Sequence, residues 1–290
     1  MADRAPFPFL HPTPPQVPAG LIAMAKAGPV PRVALVGADA VNPLAGIREA
    51  ADNGLAEPIL IGDPDKIRAT AEEIGWDIDG LRIVAADHHG GPAEAARLAR
   101  DGEADSIMKG QIHTSDFLSG LLPTSAGLRE KGARCGHIFH ITAPGRDRAL
   151  LITDAALNIA PDLETRKHCL ALAVDLALKL GVDRPRAAIL SPNEVPMDGI
   201  PNTMEAAEIA AWADEALPHA DVAGPLALDL VFSAEAAAAK GLTTPVAGDA
   251  DILLVPEITS GNAIFKLMVF GMGCCAGGLV LGAKVPILLT

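Results

Sequence analysis

Between Arg32 and Leu121 the chain alternates short apolar runs with segments of helical periodicity, and this alternation constrains the fold more than any other feature. The apolar runs span residues 33–36, 58–61, 81–85 and 106–108. We interpret each run as a strand and the segment that follows it as a helix. Strands that alternate with helices build right-handed parallel units. The sequence therefore predicts an α/β fold with parallel or mixed sheets flanked by helices.

The second half of the chain begins with two apolar runs, 137–142 and 149–153, which are separated by Pro144 and Gly145. This spacing predicts an antiparallel pair of strands at the border between two domains. A long helix is predicted over 163–180. We expect a Pro-rich arm over residues 1–20, a first α/β domain over 21–145 and a second α/β domain over 146–290.

Charge and cysteine content limit the partners of the protein. The net charge of −13 makes a nucleic acid or an anionic membrane surface an unfavourable partner. The four cysteines have no metal-type spacing, and we expect neither a disulfide framework nor a bound transition metal. The chain has no signal-peptide pattern and no apolar stretch long enough to span a bilayer. We therefore expect a cytoplasmic protein.

The stretch 244–266, TPVAGDADILLVPEITSGNAIFK, has the pattern of a site at the end of a buried strand. A strand over 252–255 is ended by Pro256, and a helix follows. Either Ser260 or Asn262 could cap that helix, and we expect its first turn to offer free N–H groups to an anion. A purely structural role, with a buried strand and a capped helix that bind no ligand, explains this sequence pattern equally well.

Polar residues follow two other predicted strands. Lys109 and Gly110 end one strand, and Thr114 and Ser115 begin a helix, which suits an anion. A solvated lysine beside a capped helix is an equally good interpretation.

In LLITDAALNIAPD, Asp154 can accept a proton and Asn158 can donate to a carbonyl or phosphate oxygen. An Asx-type turn is the structural alternative for this segment. The turn Gly37-Ala38-Asp39 matches neither a dinucleotide fingerprint nor a phosphate loop, so a nicotinamide cofactor is not supported.

Four stretches together resemble the phosphate acetyl/butyryltransferase family, and their order and spacing agree with it over nearly everything from Arg32 onward. They are IMKGQIHTSDFL (107–118), LLITDAALNIAPDLETRKH (150–168), AGPLALDLVFSAEAAAAKGL (223–242) and TPVAGDADILLVPEITSGNAIFKLMVF (244–270). The chain is similar in length and ending to the butyryltransferase-like branch.

The resemblance implies two α/β domains of the isocitrate and isopropylmalate dehydrogenase type, with the active site in a cleft between them. It also implies reversible acyl transfer between coenzyme A (CoA) and inorganic phosphate by direct attack of the CoA thiolate on the acyl phosphate. CoA or acyl-CoA would be a substrate, no cofactor would be bound permanently, and the protein would be a homodimer. The catalytic residues carried over by motif are Asp154 and Asn158. The substrate-binding residues carried over are Lys109, Gly110, Thr114, Ser115, Asp249, Gly261, Asn262 and Lys266.

The sequence departs from the family pattern at three places. Phe265 stands where the family often has Tyr, and Ala223 stands where it often has Asp. The family pattern continues after its final Leu-Thr with a Ser-Arg pair that is assigned to phosphate binding, whereas this sequence ends at Thr290. Either the sequence is a trimmed chain, or the protein lacks that group. In the second case a catalytically weak or silent CoA-binding homologue is the alternative function.

Overall fold

The computed structural model of the protein describes residues 9–289, which form two compact units. What we call the amino-terminal unit comprises Ala19–Arg134 and residues 278–289. The central unit comprises residues 9–18 and Cys135–Gly277. These units differ from the predicted domains at the 145/146 border and at the end of the chain.

Up to residue 134 the chain alternates helices and strands. In order these are α1 (Ala19–Ala27), β1 (Arg32–Val36), α2 (Val41–Asp52), β2 (Glu57–Gly62), α3 (Pro64–Glu73), β3 (Arg82–Ala85), α4 (Gly91–Arg100), β4 (Ser106–Lys109), α5 (Thr114–Leu121) and a 3₁₀ turn (Thr124–Ala126).

The remaining elements begin with an antiparallel pair and end with two short strands. In order these are β5 (Gly136–Thr142), β6 (Ala149–Thr153), α6 (Leu163–Lys179), β7 (Arg186–Leu190), α7 (Pro201–Ala216), β8 (Asp221–Leu226), α8 (Leu228–Phe232), α9 (Ala234–Ala239), β9 (Ile252–Leu254), α10 (Ile258–Lys266), a π-helical turn (Leu267–Gly271), β10 (Cys275–Leu281) and β11 (Ile287–Leu288).

The amino-terminal unit has the strand order β3-β2-β1-β4-β11, and each of these neighbouring pairs is parallel. Strand β10 pairs with β11 in the antiparallel sense. The core of this unit lies where β1 and β2 pack against α2 and α3, and it includes Leu35, Leu44, Leu60 and Ile67. Helix α3 begins where Asp63 accepts hydrogen bonds from the N–H groups of the first turn, directly after β2.

The central unit has the strand order β5-β6-β9-β7-β8. Strands β5 and β6 pair antiparallel, whereas β6, β9, β7 and β8 are parallel neighbours. Its core brings Ile152 and Leu253 against Leu230 and Val246. The predicted α/β class and the predicted antiparallel pair are both confirmed.

The antiparallel pair explains why the unit border lies before residue 135. Strand β5 is held to β6 along five residue pairs, from Ile138 with Thr153 to Thr142 with Ala149. Two strands joined in this way belong to one unit. The segment at the end of the chain belongs to the amino-terminal unit because β11 pairs in parallel with β4.

Two local predictions fail. The sequence pattern predicts a helix over 46–53, but α2 begins at Val41, and Pro43 lies in its first turn, where proline is tolerated. The glycines over 271–278 predict a helix end, but strand β10 begins within this segment, at Cys275.

The sequence pattern also did not indicate strand β8. Gly224 and Pro225 interrupt its apolar run, but β8 is an edge strand, where a missing N–H is tolerated.

Only part of the predicted Pro-rich arm can be described, since residues 1–8 lie outside the described range, as does Thr290. The arm contacts the π-helical turn, where the backbone N–H of His11 donates to the carbonyl oxygen of Phe270 at 2.7 Å. The imidazole of His11 lies against Gly273, at a position where any side chain on residue 273 would collide with it.

Candidate active site

The carboxylate of Asp154 lies directly after β6 and is 3% exposed. It accepts hydrogen bonds from the backbone N–H groups of His137 (3.0 Å), Ala156 (3.0 Å), Leu157 (2.9 Å) and Asn158 (3.3 Å). The side-chain amide of Asn158 adds a fifth at 2.6 Å. These five donors fill the roughly four lone-pair positions that a carboxylate offers. Asp154 therefore organises the loop 154–158 and is poorly placed to take a proton from a substrate.

The amide group of Asn158 is fixed by three contacts. Its nitrogen also donates to the carbonyl oxygen of Cys135 at 3.0 Å and lies 3.8 Å from the sulfur of Cys169. Burial, followed by the nearby charge of Asp154, raises the pKa of the Cys169 thiol to about 12. At neutral pH this sulfur is a protonated thiol, so it is not a nucleophile.

Helix α10 does not offer free N–H groups to an anion, and both predicted caps are wrong. Its N-cap residue is Glu257, whose carboxylate accepts hydrogen bonds of 2.7 Å from each of the N–H groups of Thr259 and Ser260. Desolvation would raise the pKa of Glu257, but the hydrogen bonds from Ser260 and Thr259 outweigh it and leave the pKa lowered. The negatively charged side chain of Glu257 therefore occupies the N-terminus of α10. The helix begins at Ile258, one turn before Asn262.

Gly261 and Asn262 place α10 against the loop after β6. A Cβ atom on Gly261 would lie 2.8 Å from the Cβ of Ala155 and 2.9 Å from a methyl group of Val255. The side-chain amide of Asn262 donates to the carbonyl oxygen of Ala155 at 3.4 Å. The structure thus brings Gly261 and Asn262 together with the Asp154 loop. Lys266 is exposed in the last turn of the same helix, and no ion pair engages it among the described residues.

His137 is the second residue of β5, lies opposite Asp154 and is fully buried. Its ring lies 4.3 Å from the ring of Phe139, which stacks on Phe265 at 3.8 Å. Burial lowers the pKa of His137 to about 4, although the charge of Asp154 acts in the opposite direction. Within residues 9–289 neither ring nitrogen has a hydrogen-bond partner. The histidine is therefore neutral at pH 7 and forms part of an aromatic wall.

Asp249 lies away from these residues, at the amino ends of the parallel strands. Its carboxylate pairs with Arg148, before β6, and with Arg186, the first residue of β7. Asp251 joins the same network and accepts from Arg148 at 2.7 Å and from the backbone N–H of Arg186 at 2.9 Å. Because Asp154 follows β6 at its carboxyl end, the structure separates Asp249 from the Asp154 loop. We call these four residues the amino-edge ion network, and it is structural.

The other predicted substrate-binding residues lie in the amino-terminal unit, at the carboxyl end of β4. Lys109 is partly buried, and Gly110 is buried because its backbone packs on β1, where a Cβ atom would lie 2.4 Å from the carbonyl oxygen of Gly37. Thr114 and Ser115 begin α5 and are exposed. Unlike α10, α5 has no side-chain hydrogen bond at its N-cap.

Two wider features follow from the described residues. No group of three or more His, Cys, Asp or Glu side chains in residues 9–289 is arranged to hold a metal ion. No helix in that range has the length and apolar character required to cross a bilayer.

Sequence reasoning missed two residues that shape the site. Glu257 follows a strand-ending proline, and an acidic residue directly before Ile-Thr-Ser was the available signal for a cap. His137 carried no sequence signal, because a histidine at a strand end is usually exposed.

In each unit, polar side chains follow the carboxyl ends of parallel strands, which is where α/β enzymes place their active sites. The fold and these side chains thus define an α/β enzyme. Residues 91–290 match the family model described as Phosphate acetyl/butaryl transferase, and the chain belongs to this family. It is an acyltransferase, and the resemblance noted in the sequence is confirmed.

Two relatives illustrate the match. The chain is 41% identical to the phosphate acetyltransferase of Rhizobium meliloti over 249 residues, which cover 85% of this chain and 78% of that protein. It is 36% identical to the phosphate butyryltransferase of Clostridium beijerinckii over 272 residues, which cover 93% of this chain and 90% of that protein.

Solved structures share this fold. A branched-chain phosphotransacylase from Enterococcus faecalis V583 is 31% identical, with a TM-score of 0.78 over 90% of this chain and 92% of that one. A phosphotransacetylase from Streptococcus pyogenes, 21% identical, has the same fold with a TM-score of 0.79 over 92% and 90% of the two chains. A 4-hydroxythreonine-4-phosphate dehydrogenase from Burkholderia phymatum, 15% identical, shares the fold at a TM-score of 0.55 over 90% and 89%.

Proposed function

We propose that the protein transfers an acyl group reversibly between CoA and inorganic phosphate. Family membership and the names of the two relatives above support this reaction. Acetyl and butyryl groups are the two acyl groups that those names suggest. CoA would be a substrate that leaves after each turnover, and the proposal requires no permanently bound cofactor.

The proposed chemistry is one substitution at a carbonyl carbon. The thiolate sulfur of CoA forms a bond to the acyl carbon, the bond from that carbon to the bridging oxygen breaks, and phosphate leaves with the electron pair. In the opposite direction phosphate attacks the thioester and releases the thiolate. The protein must therefore hold phosphate and orient the carbonyl group. Binding and orientation alone can supply a large part of the rate enhancement over the uncatalysed reaction.

The observation that best supports this function is the start of α5. Its N-cap residue, His113, makes no side-chain hydrogen bond, so the N–H groups of the first turn are not occupied by a side chain. Lys109 and Gly110 precede it at the end of β4, and Thr114 and Ser115 expose hydroxyl groups in its first turn. A helix start with a nearby cation and hydroxyl groups suits an oxyanion. We assign this segment to phosphate or to the phosphate groups of CoA.

In the central unit we assign separate roles to the residues around Asp154. Asp154 is a positioning residue, because its oxygens are occupied by N–H donors of the loop that it holds. Asn158 is fixed by that carboxylate, and we keep it as the candidate that contacts the substrate. Gly261 and Asn262 support the same loop, and Lys266 is an exposed cation available to CoA.

The test is phosphate-dependent release of free thiol from acetyl-CoA and butyryl-CoA. We expect release with at least one substrate, together with formation of the acyl phosphate. Lys109→Ala and Lys266→Ala should each raise KM for phosphate or CoA by about 10-fold or more, since a hydrogen bond to a charged group contributes about 1.5–3 kcal/mol. Lys179→Ala, which removes an exposed lysine from the last turn of α6, is the matched control and should change neither constant.

Two outcomes would contradict the proposal. Binding of CoA without thiol release from either substrate would identify a CoA-binding protein instead of an enzyme. Unchanged KM values in both lysine variants would refute the assignment of those two cations.

We also propose that the protein is a homodimer in the cytosol. The four cysteines are free thiols, which suits a reducing compartment. Helices α7 to α9 are rich in alanine, and Met204 and Phe232 on them are 45% and 50% exposed. Light scattering should give twice the chain mass, and Phe232→Asp should give monomers. Phe270→Asp, at a residue that is 57% exposed outside these helices, is the control and should remain a dimer. A monomeric unsubstituted protein would refute the proposal.

A further inference from the structure

A cavity of about 590 Å³ lies entirely within the amino-terminal unit, at the carboxyl ends of β1, β2 and β3. Strand β1 is the point where the strand order changes direction, since β2 and β3 lie on one side of it and β4 on the other. Open α/β sheets bind ligands at such a point, outside the carboxyl ends of their strands. The volume falls in the range of small-molecule pockets. None of the residues assigned above to phosphate or CoA lines this cavity.

Each of the three strands delivers one carboxylate to the cavity: Asp39 after β1, Asp63 after β2 and Asp87 after β3. The carboxylate of Asp39 makes no hydrogen bond to the described part of the chain. Asp63 and Asp87 each use only Oδ1 to accept backbone N–H groups of the turn that follows. Oδ2 of Asp63 lies 3.8 Å from the ammonium nitrogen of Lys66. The carboxylate of Asp39 and Oδ2 of Asp87 are therefore the acceptors left for a ligand.

The charges around the cavity select the chemistry of that ligand. Three carboxylates repel a phosphate in their midst, whereas they accept hydrogen bonds from hydroxyl and amino groups. The ammonium group of Lys66 is the one lysine or arginine head group among the lining residues, and its side chain is 68% exposed. A ligand that fits both conditions has a polyhydroxyl part inside and a phosphate at the rim.

Part of the remaining lining is apolar. Ile61 and Ile112 line the cavity, together with glycines whose missing side chains keep it open. A Cβ atom on Gly91 would lie 3.1 Å from a methyl group of Val36. Apolar side chains can contact the face of a base, and a carboxylate at the end of the second strand is the group that binds ribose hydroxyls in dinucleotide-binding folds.

We propose that this cavity binds a ribonucleoside 5′-phosphate whose 2′ and 3′ hydroxyl groups are free. Asp39 and Asp87 accept the ribose hydroxyls and an amino group of the base. Lys66, whose 3.8 Å ion pair with Asp63 lies at the exposed rim, holds the 5′-phosphate. CoA carries a phosphate on the 3′ oxygen of its ribose, which would be placed among the carboxylates. The cavity adjoins the segment assigned to phosphate, because Ile112 lies between Gly110 and Thr114. Its ligand is nevertheless a second small molecule and not CoA.

Titration calorimetry with adenosine 5′-phosphate and adenosine 3′-phosphate tests the proposal, because the two compounds differ only in the position of the phosphate. We expect the 5′-phosphate to bind at least about 10-fold more tightly, since one hydrogen bond to a charged group accounts for such a factor. The 2′-deoxy form of the 5′-phosphate should bind about 10-fold more weakly than the ribose form.

Asp39→Asn should weaken binding of adenosine 5′-phosphate by about 10-fold. It is nearly isosteric, and Asp39 holds no backbone group through its side chain, so the fold is preserved. Asp79→Asn is the control, because Asp79 is an exposed acid just before β3, at the amino ends of the strands. Circular dichroism of each variant verifies folding.

Three results would overturn the inference. The first is no binding of adenosine 5′-phosphate at millimolar concentration. The second is equal affinity for the 3′-phosphate, and the third is unchanged affinity in Asp39→Asn. All three measurements are independent of acyl transfer, so failure of this inference and failure of the proposed function are distinguishable.

Discussion

The buried imidazole of His137 should make the stability of the central unit depend on pH. Its pKa is about 4 in the folded protein, compared with 6.5 when unperturbed. Between these values the unfolded chain binds a proton that the folded chain does not bind. The free energy of unfolding contributed by this group is thus fully present above pH 6.5 and is lost as the pH falls towards 4. The loss between pH 7 and pH 5 is about 2 kcal/mol.

Urea unfolding at pH 7, 6 and 5 measures this contribution. In a Trp76→Phe background, Trp212 is the only tryptophan, and it reports on α7 of the central unit. The comparison is with His137→Gln, which has no titrating ring. From pH 7 to pH 5 the protein with His137 should lose about 2 kcal/mol more than the variant.

A second comparison separates the pH effect from simple destabilisation. Ile141→Val, in the same strand and equally buried, should lower stability by about 1 kcal/mol at every pH without changing the slope. Equal pH dependence with and without His137 would show that its pKa is not depressed in the folded state, and the reasoning from burial would be refuted.

Three further predictions concern contacts that shape the central unit. Gly261→Ala should destabilise the central unit by about 1–3 kcal/mol in urea unfolding and lower the rate of thiol release, because the added methyl group overlaps Ala155. Gly199→Ala is the control, since the space around Gly199 is open, and it should change neither the stability nor the rate. Asp251→Asn should cost about 2–3 kcal/mol in urea unfolding, because one carboxylate oxygen becomes an NH2 group that faces either the Arg148 guanidinium or the backbone N–H of Arg186. A loss below about 0.5 kcal/mol would contradict that role. Glu257→Ala should cost about 1 kcal/mol through loss of the α10 cap, and an unchanged melting temperature would show that the cap contributes nothing.

Much of the fold was predictable because it depends on local patterns. Apolar runs such as 33–36 become buried strands, and the glycine-containing breaks between runs become the turns that join them. The pairing of β5 with β6 was predictable for the same reason, since their connection is short. Strand β8 was not, because its Gly-Pro pair is acceptable only at a sheet edge, and edge position is a property of the whole sheet.

The candidate site was predictable only in part. Asp154 and Asn158 follow β6 directly, so their placement together follows from chain order. Asp249 was grouped with them by motif, but it precedes β9, and residues before and after parallel strands lie at opposite ends of the sheet. Glu257 shows a different difficulty. Glu257, Ser260 and Asn262 are all polar residues near the start of α10. Which of them is the N-cap depends on backbone angles that the sequence pattern does not specify.

The pairing of β4 with β11 has a consequence for synthesis on the ribosome. Ile107 pairs with Ile287, which is translated 180 residues later. At about 5–20 residues per second, one edge of β4 stays uncovered for roughly 10–40 s while the whole central unit is being made. An uncovered strand edge is a template for pairing with other chains. Nascent chains that end before residue 287 lack β11 and leave this edge of β4 exposed. We therefore expect them to bind chaperones and to aggregate more than the full chain does.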